Sequence, residues 1–215
     1  MKHRAVIIGA GRIGCGFKWH DDAYTHIGAY RALDVTVDGF VEPDDERAAA
    51  AEKKWGIDRI NLQSLQMLKP DVVSICVQPD KQDDVLPYCN TSRVIWAEKP
   101  YLAKRKAPAP VQVNYMRRAD RKHQWIAENR HGGDLTVYGK DDIHTRCHFE
   151  DLAKWWKAKL IYKPVTGPCS YVYDWCNGEM FFDNGGVDGG TCFKAMLENL
   201  LDHIDKGIPL WSPAI

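Results

Sequence analysis

The stretch RAVIIGAGRIG, residues 4–14, constrains this chain more than any other. An apolar, β-branched run ends in Gly9-x-Gly11-x-x-Gly14. That order suits a strand, a tight turn and a helix start where backbone must pass close to a pyrophosphate. Short glycine triplets also arise by chance, so the neighbouring segments decide. Residues 35–41, VTVDGFV, read as a second strand ending at Glu42, where an acid that accepts hydrogen bonds from an adenosine ribose belongs. The distance from Gly14 exceeds the usual ~20 residues, so an extended loop through 18–26 must intervene. Asp44 to Gly56 reads as a helix with acids in its first turn, lysines in its last and Gly56 as C-cap. Two continuous apolar runs, 70–77 and 92–100, suit parallel strands covered on both faces. Strands alternating with helices predict a doubly wound, Rossmann-type α/β sheet.

Charge excludes several functions. Lys plus Arg equals Asp plus Glu at 29 each, so no strong field points to nucleic acid or an anionic membrane. No apolar run reaches the ~18 residues of a membrane span. Seven cysteines, an odd number without a C-x-x-C, fit reduced thiols in a cytoplasmic protein better than a disulfide framework.

The segment AEKP, residues 97–100, names a family. Together with VIIGAGRIG, KPDVVSICV, VNYMRR and HFEDLAKWW it resembles the Gfo/Idh/MocA nicotinamide-dependent oxidoreductases. The tail, FKAMLENLLDHIDKGIPLWSP, is similar to that family's late helix and closing G-x-P segment. The resemblance implies NAD or NADP held by Gly9, Gly11, Arg12, Ile13, Gly14, Glu42, Val77, Gln78, Glu98 and Lys99. It places Lys99 beside the nicotinamide and the substrate carbinol, as a proton-handling residue. The family's substrate domain carries Asp-x-x-x-His-x-x-Asp on a helix, and here the three positions are His144, His148 and Asp151. His148 becomes the proton partner of the reacting hydroxyl. His144 replaces a carboxylate with a titratable imidazole and counts as a third catalytic candidate. Lys99, Arg117, His144, His148 and Asp151 form the expected substrate contacts, with Arg117 and Arg118 at a strand end able to clamp a carboxylate or phosphate. A metal held by His144, Cys147, His148 and Asp151 is geometrically conceivable at i, i+3 and i+4, but no second ligand cluster has metal-motif spacing, so none is assigned.

The second half is short for that family. The expected division is a dinucleotide-binding domain over 1–106 and a reduced α+β domain over 107–215 with a largely antiparallel sheet. No helix fits KRKAPAP, because its prolines break one. Alternating aromatics around Asn177-Gly178 predict a two-residue hairpin, with Tyr171, Tyr173 and Trp175 on one face. The resemblance implies association through the open face of this sheet, and a small chain has more reason to bury it, so a homodimer or higher homo-oligomer is expected. The implied function is hydride transfer between NAD, favoured slightly by Glu42 and Asp44 over NADP, and a carbinol or carbonyl of a sugar, sugar derivative or cyclitol. Two other readings stand beside it. One is reduction of a conjugated substrate such as biliverdin; the other is a non-catalytic dinucleotide-responsive regulator, suggested by His144 and by Gln82 where the family often has His.

Overall fold

In the computed structural model of the chain, residues 2–167, 169–175, 178–182 and 188–214 are described. Packing divides them into two units: 1–114 with 189–215, and 115–188.

The first unit is a five-stranded parallel sheet in the order β2-β1-β3-β4-β5. Its elements are β1 (Arg4–Ile8), α1 (Arg12–Cys15), α2 (His26–Ala32), β2 (Thr36–Val41), α3 (Asp45–Trp55), α4 (Ser64–Leu68), β3 (Val72–Ile75), α5 (Gln82–Val85), β4 (Val94–Ala97) and β5 (Val111–Val113). The expected strands form where the apolar runs stood: every residue of β3 and β4 is buried. Helix α3 has the ends read from sequence, with the Asp44 carboxylate accepting from Arg47 N at 2.9 Å. Gly56 closes it in the left-handed region at φ +64°. Because the strands are parallel and paired Ile8 with Val41 and Ile75, and Ile75 with Ala97, one sheet edge collects Gly9, Glu42, Cys76 and Glu98. Doubly wound sheets bind ligands at that carboxyl edge.

Three expectations need correction here. The sheet does not stop before residue 107, because β5 pairs with β4 through Ala97 and Val113 and is buried throughout. Arg117 and Arg118 do not end that strand; they lie on a 3-10 turn, Met116–Ala119. The last helix, Gly189–Lys206, packs with the first unit, where Phe193 meets the Trp96, His26 and Tyr24 rings at 5.2–5.8 Å. Phe193 is fully buried there, which takes its ring out of water.

The second unit holds α6 (Arg121–Asn129), β6 (Asp134–Gly139), α7 (Ile143–Trp156), β7 (Lys159–Pro164), β8 (Ser170–Trp175) and β9 (Gly178–Phe182). The sheet order is β7-β6-β8-β9, with β6 and β7 parallel and the other pairs antiparallel. Tyr171, Tyr173 and Phe182 pack with Leu135, Val137, Phe149 and Trp156 in one buried cluster. Truncating a fully buried tryptophan such as Trp156 would cost about 3–5 kcal/mol. The aromatic face is therefore core. The hairpin exists, but its register pairs Trp175 with Gly178. Gly178 is thus a strand residue and not half of the turn; Asn177 lies outside the described residues. The final helix of the chain, α8 (Gly189–Lys206), returns to the first unit.

Candidate active site

The glycine turn leaves β1 with three different roles for its glycines. Gly9 has φ +100°, and a Cβ there would lie 2.5 Å from the Cys76 carbonyl oxygen. A Cβ on Gly14 would lie 2.0 Å from the Gly9 carbonyl oxygen. Both positions need glycine for packing alone. Gly11 differs, since a Cβ there meets nothing within 4 Å. Of the three, Gly11 is the one that packing does not require. The following helix is a single turn carrying Arg12 and Ile13, ended by Gly16 at φ +73°. The intervening loop expected from the spacing then runs to α2, whose N-cap Thr25 accepts from Gly28 N at 3.0 Å.

Glu42 is 4% exposed, and its oxygens accept from Ala10 N at 2.9 Å and Asp44 N at 3.1 Å. It ties the glycine turn to the end of β2. A carboxylate has about four acceptor positions, so these two bonds fill about half of them. Val77 and Gln78 follow β3 directly, Val77 half-buried and Gln78 exposed. The glycine turn, Glu42, Val77 and Gln78 thus lie along one sheet edge.

Lys99 follows β4, with Nζ donating to Glu98 Oε2 at 3.0 Å, both side chains largely buried. Glu98 Oε1 receives Asn114 Nδ2 at 2.5 Å and faces His26 Nε2 at 3.0 Å. Burial alone would push the Glu98 carboxyl up, but the Lys99 ammonium, His26 and Asn114 outweigh it and hold the group well below the usual carboxylate range. Gln82 is 1% exposed and clamps the segment beyond Lys99. Its amide donates to the Pro100 carbonyl at 3.0 Å, and its carbonyl accepts Leu102 N at 2.8 Å. An amide, which is both donor and acceptor, suits that task.

In the second unit, helix α7 carries His144, His148 and Asp151 on one stripe, as expected. Asp142 caps it, accepting from Thr145 N at 2.8 Å. His144 is exposed in the first turn and His148 is half-buried, with the Tyr115 ring edge-on at 6.2 Å. Asp151 is 9% exposed and takes a two-point ion pair from Arg118, Nε at 3.0 Å and Nη2 at 2.8 Å. Arg117 lays its guanidinium over the Phe149 and Tyr171 rings at 5.1 and 5.9 Å, with Nε and Nη1 buried. The arginine pair therefore does not present the expected double clamp: Arg118 braces α7 and Arg117 packs on aromatic faces. Among the described residues no three His, Cys, Asp or Glu side chains gather as a metal site would need. Cys147 instead donates to the His144 carbonyl at 3.3 Å.

Sequence reasoning missed His26, Ser74, Tyr30 and Asn114. A signal for two of them existed: His26 and Tyr30 stand four residues apart in THIGAY, the spacing of neighbours on one helix face.

No family model matches the chain, and no curated protein matches it in sequence. Solved structures match it closely in three dimensions. A putative myo-inositol dehydrogenase from Sinorhizobium meliloti superposes with TM-score 0.75 at 13% identity, covering 97% of this chain and 91% of that one. The fold is that of the Gfo/Idh/MocA-type dehydrogenases. UDP-N-acetylglucosamine 3-dehydrogenase GnnA from Acidithiobacillus ferrooxidans gives TM-score 0.75 at 13% identity, over 99% and 92% of the two chains. An oxidoreductase from Agrobacterium radiobacter, solved with NAD+, L-tartaric acid and magnesium, gives 0.70 at 11%, over 99% and 91%. The Gfo/Idh/MocA-type fold accounts for both sheets seen here, the parallel one and the mixed, mostly antiparallel one. Among the described residues no helix is long and apolar enough to cross a membrane.

Proposed function

We propose that this chain is a dehydrogenase that moves hydride between NAD or NADP and a carbinol or carbonyl of a sugar, sugar derivative or cyclitol. The observation that carries the reading is the glycine turn, in which Gly11 alone opens to free space while Gly9 and Gly14 are demanded by packing. The named activities of proteins that share the fold, on inositol and on a sugar nucleotide, support the substrate class.

Gly9, Gly11, Arg12, Ile13 and Gly14 hold the pyrophosphate, Glu42 the adenosine ribose, and Val77, Gln78, Glu98 and Lys99 the nicotinamide half. When bound, the nicotinamide supplies or accepts the hydride. The chain's own residues handle the proton. When hydride leaves a carbinol carbon, the hydroxyl proton must also leave. Lys99, its neutral amine favoured by a bound nicotinamide cation beside it, takes that proton, and in the reverse direction the Lys99 ammonium returns it. His148 hydrogen-bonds the reacting hydroxyl, and His144 replaces the family's carboxylate on the same helix stripe. Asp151, through Arg118, fixes that stripe. NAD is favoured, because Glu42 and Asp44 would repel a 2′-phosphate. The uncovered face of the second sheet, which includes the 64% exposed Phe181, carries a homo-oligomer contact. Free thiols at all six described cysteines suit a cytoplasmic setting.

The test is calorimetry with NADH and NADPH, followed by a panel of polyols, uronates and sugar nucleotides read by nicotinamide absorbance. Uptake of NADH with turnover of one panel member supports the reading. Absence of dinucleotide binding overturns it.

A further inference from the structure

Beneath Lys99 runs a buried polar chain that neither the motif reading nor the proposed mechanism uses. Helix α2 places His26 and Tyr30 one turn apart, both fully buried. Ser74 of β3 sits between them, its Oγ 2.8 Å from His26 Nδ1 and 2.7 Å from the Tyr30 hydroxyl. On the other side of the ring, Nε2 lies 3.0 Å from Glu98 Oε1. Trp96 and Phe193 pack on the imidazole at 3.9 and 5.6 Å and exclude water.

Counting protons fixes every direction in this chain. The Glu98 carboxylate only accepts, so His26 Nε2 carries a hydrogen and donates it. Burial pushes His26 down, so the imidazole is neutral and Nδ1 accepts. The Ser74 hydroxyl must then donate to Nδ1, and its oxygen accepts from the Tyr30 O–H. Each group uses its one hydrogen. The line begins at a fully buried tyrosine, and Tyr30, Ser74 and His26 are all 0% exposed, with Glu98 at its end 8% exposed. It is therefore a fixed, polarised support for Glu98 and not a route for protons to leave.

We propose that His26 is a positioning residue for Lys99. Its Nε2–H, together with Asn114, ties up Glu98 Oε1, which keeps the carboxylate ionised and leaves Oε2 turned toward the Lys99 ammonium. Ser74 and Tyr30 select the one imidazole tautomer that can do this. The catalytic consequence rests on the reading of Lys99 as the proton-handling residue; the support of Glu98 does not. Titratable groups facing the Glu98–Lys99 pair are His26 from α2 and Cys76 after β3, with Tyr30 reached only through Ser74 and Cys15 of α1 behind Cys76. Burial and the Glu98 charge push Cys76 well up, so it stays a thiol and contributes no competing anion.

Carbon-13 NMR titration of the Glu98 carboxyl in the full chain, with no ligand added, tests this directly. In the unaltered protein Glu98 titrates well below the usual carboxylate range. His26→Phe keeps a ring against Trp96 but removes the donor, and the Glu98 midpoint rises by at least about one pH unit, a tenfold change in its proton affinity. The double variant His26→Phe/Ser74→Ala, which leaves no orphaned serine hydroxyl, shows the same rise if the single variant folds poorly. His26→Gln, whose amide can donate to Glu98 and accept from Ser74, restores the original titration. A Glu98 midpoint unmoved by removal of the His26 donor, or a rise that His26→Gln fails to reverse, overturns the proposal. Failure of the dehydrogenase reading would show instead as absent NADH uptake with this titration pattern intact.

Discussion

Replacing Gly11 or Gly14 by alanine adds the same methyl group three residues apart, yet opposite outcomes follow from the geometry. Gly11 has φ −69° and ψ −161°, which any residue adopts, and a Cβ there meets no atom within 4 Å. Gly11→Ala should leave stability within about 0.5 kcal/mol of the original. The added methyl projects into the space assigned to the pyrophosphate. One misplaced methyl-sized group in a binding site costs roughly 1–3 kcal/mol, so NADH affinity should fall about 10- to 200-fold. Gly14→Ala places its Cβ 2.0 Å from the Gly9 carbonyl oxygen, a backbone atom that cannot swing aside. Overpacking of that kind costs typically 1–3 kcal/mol. At about 2–4 °C per kcal/mol for a chain of this size, the melting temperature drops by roughly 2–12 °C. Thermal melting by circular dichroism and NADH calorimetry on the two variants separate the effects. A Gly11→Ala protein that binds NADH as tightly as the original would refute the argument, whatever Gly14→Ala does.

Four further outcomes are expected. Lys99→Ala should lose about 10²-fold or more in turnover while calorimetry still detects NADH; unchanged turnover would remove Lys99 from its role. Glu42→Ser should shift the NADH-to-NADPH affinity ratio toward NADPH, and should also lower the melting temperature, because Ala10 N and Asp44 N lose their acceptor. Burial lowers both His26 and His123 below the ordinary histidine value, so the unfolded chain binds more protons below about pH 6.5. Stability is then complete above that pH and falls as the solution is acidified, by up to about 1.4 kcal/mol per pH unit for each histidine; a melting temperature flat from pH 7.5 to 5.5 would contradict this. Arg118→Met strands the 9% exposed Asp151 carboxylate and should cost about 3–5 kcal/mol, whereas Arg118→Met combined with Asp151→Leu should recover much of it in chemical denaturation.

What could be read from the sequence was whatever is encoded locally. The turn after β1, the capped helix α3 and the apolar strands β3 and β4 each carry their signal within about a dozen residues. Helix α7 was legible through the spacing of His144, His148 and Asp151. Elements whose place depends on distant partners were harder. β5 is three residues long, too short for periodicity, and joins the sheet only because its parallel neighbour β4 offers a free edge. The two arginines after it looked like a clamp because sequence gives their charge but not their partners, Asp151 and the Phe149 and Tyr171 rings. The hairpin register slipped by one position, since Asn-Gly marks a turn without fixing which residue closes the ladder. His26 escaped because its spacing from Tyr30 marks a shared helix face but not what that face meets; its meaning comes from Glu98, seventy-two positions away.

The return of α8 to the first unit sets an order of events on the ribosome. Residues 115–188 emerge as a continuous stretch and hold all the material for their own core before synthesis ends. The nucleotide-binding body, begun first, must wait for the final helix to supply Phe193 against Trp96 and the Met196 carbonyl to Gln112, and for Ser212 to meet Val113. A nascent chain halted near residue 188 would therefore hold a finished insert inside an unfinished host, with Trp96 still facing water.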